Sequence, residues 1–206
     1  MVFVESASVE EAYTNAVNTG DIVSLLSLDE KLAQKMMGHE TYTICVGLRE
    51  IARKFPEKIP EVMETIRPAA DYTGPNPNVS VVHVAIQALV EFGENDEKPF
   101  LAEILRENGK SAGCEYNNFR QKAIIESVIN KCKTTHENPL YLLSELAGTN
   151  YPPVHALISP KPLLVQDDTL YIETEMLKSV MSHCSDNIKT ELEQTYRLVY
   201  SPSNTG

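Results

Sequence analysis

The chain has 206 residues, of which 42% are hydrophobic and 23% are charged, a composition typical of a folded globular protein. Lys and Arg number 18 against 29 Asp and Glu, which gives a formal net charge of −11. A surface this acidic repels phosphate groups and argues against nucleic acid or an anionic membrane surface as a partner. The uncharged run Val79–Val90 is shorter than the about 20 apolar residues that a membrane-spanning helix needs, so we expect no membrane span.

The N-terminus and the cysteines indicate a cytoplasmic protein. The first positively charged side chain is Lys31, whereas signal peptides carry positive charge at their start. Cys45, Cys114, Cys132 and Cys184 lie far apart and form no C-x-x-C pair, so we interpret them as reduced thiols. The disulfide alternative has several possible connectivities, and no spacing selects one of them. We accordingly predict no disulfide, no structural metal and no cofactor.

The first predicted elements are short helices. Ser8 and Glu11 have the spacing of a capping box, so a helix should begin there. Asp21 should begin a second helix with an apolar face, and Asp29 a third. The end units of helical repeats are atypical because they need one polar outer face. We therefore interpret residues 1–38 as an N-terminal helical cap.

Three apolar stripes follow, each with the three-and-four spacing of one helix face. They cover Ile44–Phe55, Val81–Phe92 and Phe119–Cys132. After a polar break, each is followed by a second apolar run that begins with a proline, namely Pro60, Pro99 and Pro139. Proline is favoured in the first turn of a helix because its missing N–H would have no partner there. The pattern thus predicts three helix pairs.

The helix pairs recur at a nearly constant interval. The prolines lie 39 and 40 residues apart, and the small residues Gly47, Ala85 and Ala123 of the first helices lie 38 apart. A period near 40 with two helices per unit is typical of HEAT-like or armadillo-like arrays. The chain therefore resembles the HEAT family, with units at about 40–68, 79–107 and 118–147. The alternative is an irregular helical bundle whose hairpins have equal lengths.

The stripes also predict which side chains are buried. We expect the core to contain Leu48, Ile51, Leu89, Ile104, Ala123 and Leu143. His83 lies inside the second stripe and is interpreted as a hydrogen-bonded core histidine rather than a metal ligand.

No catalytic spacing is visible in the sequence. It contains no H-E-x-x-H, no G-x-S-x-G, no glycine-rich phosphate loop and no EF-hand loop. His183 and Cys184 are adjacent, and adjacent side chains on a helix diverge. The paired carboxylates Asp167 and Asp168 are interpreted as a solvated turn. We predict no catalytic, cofactor-binding or metal-binding residue, and whether the chain is an enzyme stays open.

The segment after Gly148 has a different character. Leu163–Val165 and Leu170–Ile172 are short β-capable runs separated by polar residues, and a helical pattern follows from Thr174. We predict a β-hairpin and a helix in a C-terminal module, residues 149–206, after the helical repeats of residues 39–148. The expected fold is mainly α: stacked antiparallel helix pairs, as a HEAT-like α-solenoid or an irregular bundle, with one small C-terminal β-hairpin plus helix.

Residues 152–181 resemble the first half of a U-box, the RING-like fold that recruits ubiquitin-conjugating enzymes without zinc. The matching positions are Pro152-Pro153-Val154 for the opening triplet, Lys161-Pro162-Leu163 for the start of the strand, Asp167-Asp168 for the turn, Tyr171, and Met176 and Val180 on the helix. The turn has no glycine, which the family has there. The resemblance implies that Val154 with its loop and Pro162 contact the conjugating enzyme.

Two functional hypotheses follow. The first is a protein-interaction scaffold or adaptor that binds a protein partner on its stacked helices and has no chemistry of its own. The second is an E3 ubiquitin ligase that acts by positioning, in which the C-terminal module recruits a ubiquitin-conjugating enzyme. The second hypothesis includes a bacterial effector that acts in the cytosol of its host.

Overall fold

Helices make up most of the chain that the structure describes. The computed structural model describes residues 8–29, 40–71, 78–106, 114–149, 154–157, 162–191 and 194. The chain divides into two compact units, Met1–Phe92 and Gly93–Gly206. This boundary falls inside the second predicted helix pair, residues 79–107. Among the described residues, no helix is long and apolar enough to cross a membrane.

The first unit contains helices α1 (Val9–Thr19), α2 (Ile22–Leu26), α3 (Glu40–Lys54), α4 (Ile59–Ala70) and α5 (Val79–Phe92), with a 3-10 turn at Pro56–Lys58. The capping box at the start of α1 is confirmed, because the Ser8 and Glu11 side chains each accept a hydrogen bond from the other's backbone N–H. Asp21 caps α2 as predicted. The helix predicted after Asp29 falls largely on residues 30–39, outside the described residues.

The core of the first unit forms where α3, α4 and α5 pack on one another and α1 and α2 pack against α3. Gly47 shows why a small residue is needed on α3. A Cβ atom there would lie 2.9 Å from a methyl carbon of Leu25 and 3.0 Å from the Tyr13 ring. These distances are too short for an ordinary contact, so glycine lets α3 approach α1 and α2 closely.

The second unit begins with α6 (Glu94–Arg106), α7 (Cys114–Thr135) and α8 (Pro139–Ala147), which pack on one another. Pro60 and Pro139 lie in the first turn of their helices, as predicted. The prediction for Pro99 is wrong, because Pro99 lies inside α6. The polar residues before Pro99 have no apolar stripe, yet Glu97 among them is buried and extends the packed face of the helix.

A three-stranded sheet follows α8, in the order β1-β3-β2. The strands are β1 (Val154–Leu157), β2 (Leu163–Gln166) and β3 (Thr169–Glu173). The predicted hairpin is confirmed, since β2 pairs antiparallel with β3. Strand β1 adds to this hairpin a parallel strand beside β3, which the sequence analysis did not include. This strand has four residues, and its partner lies downstream of the hairpin turn, so no local pattern indicates it.

The turn between β2 and β3 consists of Asp167 and Asp168, both with positive φ, 49° and 57°. Two left-handed residues in a two-residue hairpin are typical of a type I′ turn, whose twist matches that of the strands. Helix α9 (Thr174–Met181) follows β3, as predicted, and contacts β3 and β1. Strand β2 contacts α6 and α7, so the sheet joins the core of the second unit.

The predicted core positions are confirmed. All six are at most 1% exposed: Leu48, Ile51, Leu89, Ile104, Ala123 and Leu143. The fold is thus mainly α, with a small C-terminal sheet and a following helix.

Candidate interaction surfaces

The two predicted contact residues for a conjugating enzyme lie on the C-terminal sheet. Val154 begins β1 and pairs in register with Leu170, so it belongs to a strand and not to the expected loop. Pro162 directly precedes β2 and is half-buried, and its carbonyl oxygen accepts a hydrogen bond from the backbone N–H of Glu173 at 2.9 Å. The structure places Val154 on one edge strand and Pro162 directly before the other, and their role in binding stays a prediction.

Helices α3 and α5 of the first unit are joined by a polar network. Arg49 donates from Nε to Glu91 Oε2 at 2.8 Å and from Nη1 to Gln87 Oε1 at 2.6 Å. Arg53 donates from Nε to Glu91 Oε1 at 2.7 Å and from Nη1 to Glu50 Oε1 at 2.5 Å. We call Arg49, Arg53, Glu50, Gln87 and Glu91 the arginine cluster.

The electrostatics of the arginine cluster centre on Glu91. Burial tends to raise the pKa of this carboxyl group, but hydrogen bonds from Arg53 and Arg49 outweigh it, and the pKa lies below its ordinary value. The hydrogen bond to Glu91 raises the pKa of Arg53 in turn. Glu91 therefore stays ionised and holds two guanidinium groups, a charge-assisted arrangement stronger than neutral hydrogen bonds.

Two residue pairs of the cluster are separated by the same interval along the chain. Arg49 and Gln87 are 38 residues apart, and so are Arg53 and Glu91. The small residues Gly47 and Ala85 have the same spacing. Residues 38 positions apart thus lie side by side on α3 and α5.

Helices α6 and α8 of the second unit are joined differently. Lys98 Nζ donates to Glu145 Oε1 at 2.5 Å. Arg106 donates from Nε to the carbonyl of Ala147 at 2.7 Å and from Nη2 to the carbonyl of Gly148 at 2.7 Å. A guanidinium at the end of α8 donates to carbonyl groups that lack partners within the helix. Its positive charge also interacts favourably with the negative end of the helix dipole.

The outer surface of these two helices carries an exposed aromatic side chain. Tyr141 on α8 is 55% exposed, although its neighbour Leu140 is fully buried. On α6 the solvent-facing residues include Pro99 and Glu103. We call Pro99, Glu103, Tyr141 and Glu145 the α6–α8 face. A large exposed aromatic with a polar rim is typical of a protein-binding surface.

Buried polar side chains lie between α6 and α7. Arg120 is 2% exposed, with its guanidinium carbon 5.7 Å from the centre of the Phe100 ring. Gln121 is also buried and donates to the carbonyl of Leu105 at 3.1 Å, near the end of α6. Their burial gives these groups a structural role in fixing α7 against α6. The sequence analysis missed both residues, because single polar residues in a helical stripe carry no signal of their own.

The three cysteines whose side chains the structure describes do not form a reactive site. Cys45, Cys132 and Cys184 are unbridged and buried. Burial raises the pKa of the Cys45 thiol to about 11, and burial, followed by the nearby Glu137, raises that of Cys132 to about 11. Both stay protonated at neutral pH, and the thiolate is the form that attacks substrates and binds metals.

The other residues considered for chemistry are separated as well. His183 is exposed, whereas the adjacent Cys184 is buried. Asp167 and Asp168 form the exposed hairpin turn. Within the described ranges, no three His, Cys, Asp or Glu residues are grouped so that they could hold a metal ion.

Comparisons with protein families, with curated proteins and with solved structures find no match for this chain.

Proposed function

We propose that this protein is a non-catalytic interaction scaffold that binds a protein partner through the α6–α8 face. The observation that carries the proposal is Tyr141, a large aromatic side chain left 55% exposed on a helix whose opposite face is fully buried. Interfaces concentrate their binding energy in a few aromatic or arginine anchors, and Tyr is among the most frequent.

Stacking of equivalent helices supports a repeat architecture for this scaffold. In an array of helix pairs, equivalent positions of successive units lie side by side. Two residue pairs in contact between α3 and α5 are 38 apart, and Arg106 reaches the carbonyl of Ala147, 41 residues on, between α6 and α8. Both intervals are close to the period read from the sequence. Residues 40–147 are therefore proposed as HEAT-like pairs.

The α6–α8 face is suited to binding because Glu145 on this face, and Lys98 and Arg106 on α6, already have partners. Lys98 is paired with Glu145, and Arg106 is bound to the end of α8. Side chains fixed in the unbound protein lose less conformational entropy when a partner docks. Tyr141 adds apolar area with only two rotatable side-chain bonds, so a partner gains contact there at small entropic cost.

Site-specific photo-crosslinking tests this proposal. A photoreactive phenylalanine analogue is placed at position 141 or, as a matched control, at position 42, where Tyr42 on α3 is 36% exposed. We expect a protein that cross-links at position 141 and not at 42. The purified partner should bind Tyr141→Ser about tenfold more weakly and Tyr42→Ser unchanged. Equal cross-linking at both positions, or equal affinity of both variants, would contradict the proposal.

A ubiquitin ligase is the second candidate, favoured by the order of the hairpin β2–β3 and helix α9. Strand β1 occupies the place where the U-box resemblance puts a loop, and this departs from the family. An autoubiquitination assay with a panel of conjugating enzymes tests the candidate. Val154→Arg should abolish enzyme binding at an unchanged melting temperature if residue 154 is a contact. If the wild type shows no ligase activity and Val154→Arg is destabilised, the interaction scaffold is the one remaining candidate. Both candidates place the protein in the cytoplasm or in a host cytosol.

A further inference from the structure

Helix α2 (Ile22–Leu26) carries apolar residues on both of its sides. Four of its five residues are apolar, and the remaining one, Ser24, donates its hydroxyl to Asp21 Oδ2 at 2.6 Å. Ile22 and Leu25 are 3% and 0% exposed, so one side of the helix is buried. Helices that are apolar all round are normally buried all round. The opposite side of α2 would therefore be expected to be covered as well.

The opposite side of α2 is instead exposed to solvent. Val23 is 73% exposed and Leu26 is 39% exposed, and the two side chains lie three residues apart on one face of the helix. Single exposed apolar residues are ordinary on protein surfaces. Two of them together, on a helix whose other side is buried, form a small apolar surface. We call Val23 and Leu26, with Asp21 and Asp29 at the two ends, the α2 face.

Packing of the buried side fixes α2 in this orientation. The helix contacts both α1 and α3. On α3, a Cβ atom at Gly47 would lie 2.9 Å from a methyl carbon of Leu25, which shows how closely the two helices approach. At the start of α2, Asp21 accepts a hydrogen bond from the backbone N–H of Ser24 at 2.9 Å. A rotation of α2 that buried Val23 would expose Leu25, so the α2 face is a fixed part of the surface.

The charges on α1 and α2 are negative. Residues 8–29 contain no lysine, arginine or histidine. Their four charged side chains are acidic and exposed, namely Glu10, Glu11, Asp21 and Asp29. Hydrogen bonds from the side chain and the backbone of Ser24 hold the pKa of Asp21 below its ordinary value, so this carboxyl group is ionised at neutral pH. A surface with this charge attracts positively charged groups.

Two lysines outside residues 8–29 lie close to this region, and both are bonded within the first unit. Lys54 Nζ donates to Asn18 Oδ1 at 2.8 Å. Lys58, which lies near Asp21, donates from Nζ to Glu61 Oε2 at 3.1 Å. The charge of Lys58 is thus balanced by a glutamate of its own, and the acidic side chains of α1 and α2 outnumber the two lysines.

We propose that the α2 face is a docking site for a partner segment whose apolar side chains are flanked by lysine or arginine. The apolar side chains of such a segment cover Val23 and Leu26, and its positive charges lie beside Asp21 and Asp29. Burial of apolar area contributes affinity, whereas complementary charge selects the partner and speeds association. This site uses no residue of the α6–α8 face, so the proposal stands without the function proposed for that face.

Binding of two synthetic peptides to the full chain is the first test. One peptide is an amphipathic helix of leucine and lysine, and in the other each lysine is replaced by glutamate. Both carry a fluorescent label, and fluorescence anisotropy measures binding. We expect the lysine peptide to bind and the glutamate peptide to bind at least about tenfold more weakly. Equal binding of the two peptides, or no binding of either, would overturn the proposal.

Substitution of the apolar pair is the second test. The double variant Val23→Ser/Leu26→Ser should bind the lysine peptide about tenfold more weakly than the wild type, because these side chains are the proposed anchors. Val79→Ser, at a valine on α5 that is 46% exposed, is the matched control and should bind like the wild type. Equal affinity of the double variant and the wild type would overturn the proposal.

The melting temperature of the double variant distinguishes docking from packing within the chain. Exposed side chains contribute little to folding, so it should stay within about 2 °C of the wild-type value. A fall of several degrees would show that the chain itself covers Val23 and Leu26, and this too would overturn the proposal.

Reversal of one charge is the third test. Asp29→Lys should bind the lysine peptide about threefold more weakly than the wild type, because it places a positive charge at the end of the α2 face. Asp186→Lys, at an exposed aspartate of the second unit, changes the net charge equally and should bind like the wild type. Equal affinities of these two variants would overturn the proposed role of charge.

A second copy of this chain is the other occupant that the α2 face could have. Analytical ultracentrifugation of the wild type and of Val23→Ser/Leu26→Ser separates the two cases. We expect both to be in the same oligomeric state. A wild-type dimer that becomes a monomer in the double variant would identify the α2 face as a self-association surface and would overturn the proposal.

Discussion

The contacts between α3 and α5 and between α6 and α8 serve one purpose with different chemistry. Each holds together equivalent helices of consecutive predicted repeat units. In the first unit, Arg49 and Arg53 bind side chains, chiefly Glu91. In the second unit, Arg106 binds backbone carbonyls at the end of α8. The carboxyl group of Glu91 titrates and can be replaced by mutation, whereas a backbone carbonyl group does not titrate and cannot be replaced. The hydrogen bonds to Glu91 should therefore respond to acid, and those from Arg106 should not.

Truncation of a core side chain should have the largest effect on the free energy of unfolding, larger than the removal of either polar contact. Leu89 on α5 and Leu143 on α8 are buried to within 1%. Each change to Ala should cost about 2–5 kcal/mol, because it removes buried apolar volume and leaves a cavity. Chemical denaturation measures the loss. Leu142→Ala, at a half-buried neighbour, is the control and should cost clearly less.

Removal of the α8 cap is the next largest effect. Arg106→Met keeps the aliphatic length but loses two charge-assisted hydrogen bonds, which should cost about 1.5–3 kcal/mol. The loss should be the same at pH 7 and at pH 4, because the acceptors are backbone carbonyl groups, which are not titratable. Lys122→Met, which removes only an exposed ion pair on α7, serves as the control. If Arg106→Met loses less stability at pH 4 than at pH 7, the proposed difference between the contacts of Glu91 and those of Arg106 is contradicted.

Neutralisation of Glu91 should have a smaller effect that depends on pH. Glu91→Gln should cost about 1 kcal/mol at pH 7, because the group is partly solvated and solvent screens its ion pairs. The pKa of Glu91 is lower in the folded state than its ordinary value. The stabilisation is therefore fully present at pH values above the ordinary pKa of a carboxyl group. It is lost as the pH falls through the lowered value.

Denaturation of the wild type and of Glu91→Gln across pH 3–7 measures this difference. Glu126→Gln, at an exposed glutamate on α7 whose oxygen is 3.9 Å from Lys122 Nζ, should change little at any pH. A constant difference between Glu91→Gln and the wild type would contradict the role of the charge.

A backbone-only change gives the smallest expected effect. Asp168 has a φ of 57°, which glycine adopts without steric cost. Asp168→Gly should therefore stabilise the hairpin by about 0.5–1 kcal/mol, measured as a rise in melting temperature. The same exchange at Asp186, where the chain is helical, should destabilise the protein instead. Two changes of the same sign would show that the turn geometry does not decide the outcome.

Apolar spacing was sufficient to predict the helices and their buried faces. Leu48, Leu89 and Leu143 are buried because residues three and four apart share one side of a helix. The hairpin was predictable for a similar reason, since two β-capable runs flank a polar turn. These signals are local, and tertiary packing preserves them.

The remaining features depend on residues that are distant in sequence. Strand β1 forms because it pairs with β3, and nothing within Val154–Leu157 distinguishes a strand from a loop. The bond from Arg49 to Gln87 depends on which faces of α3 and α5 meet. Its one available signal was the 38-residue interval, which gave the period but not the polar partners. Tyr141 was hidden among leucines that are mostly buried.

The end of α8 has a consequence for how the sequence can change over evolutionary time. Gly148 has a φ of 62°, and a Cβ atom there would lie 2.9 Å from Arg106 Nη2. A side chain at position 148 would both strain the backbone and press on the guanidinium that caps the helix. The residue that position 148 tolerates thus depends in part on the side chain at position 106. A shorter residue at position 106 would relieve the steric contact but not the backbone strain, so the positive φ alone favours glycine at position 148 in a diverging lineage.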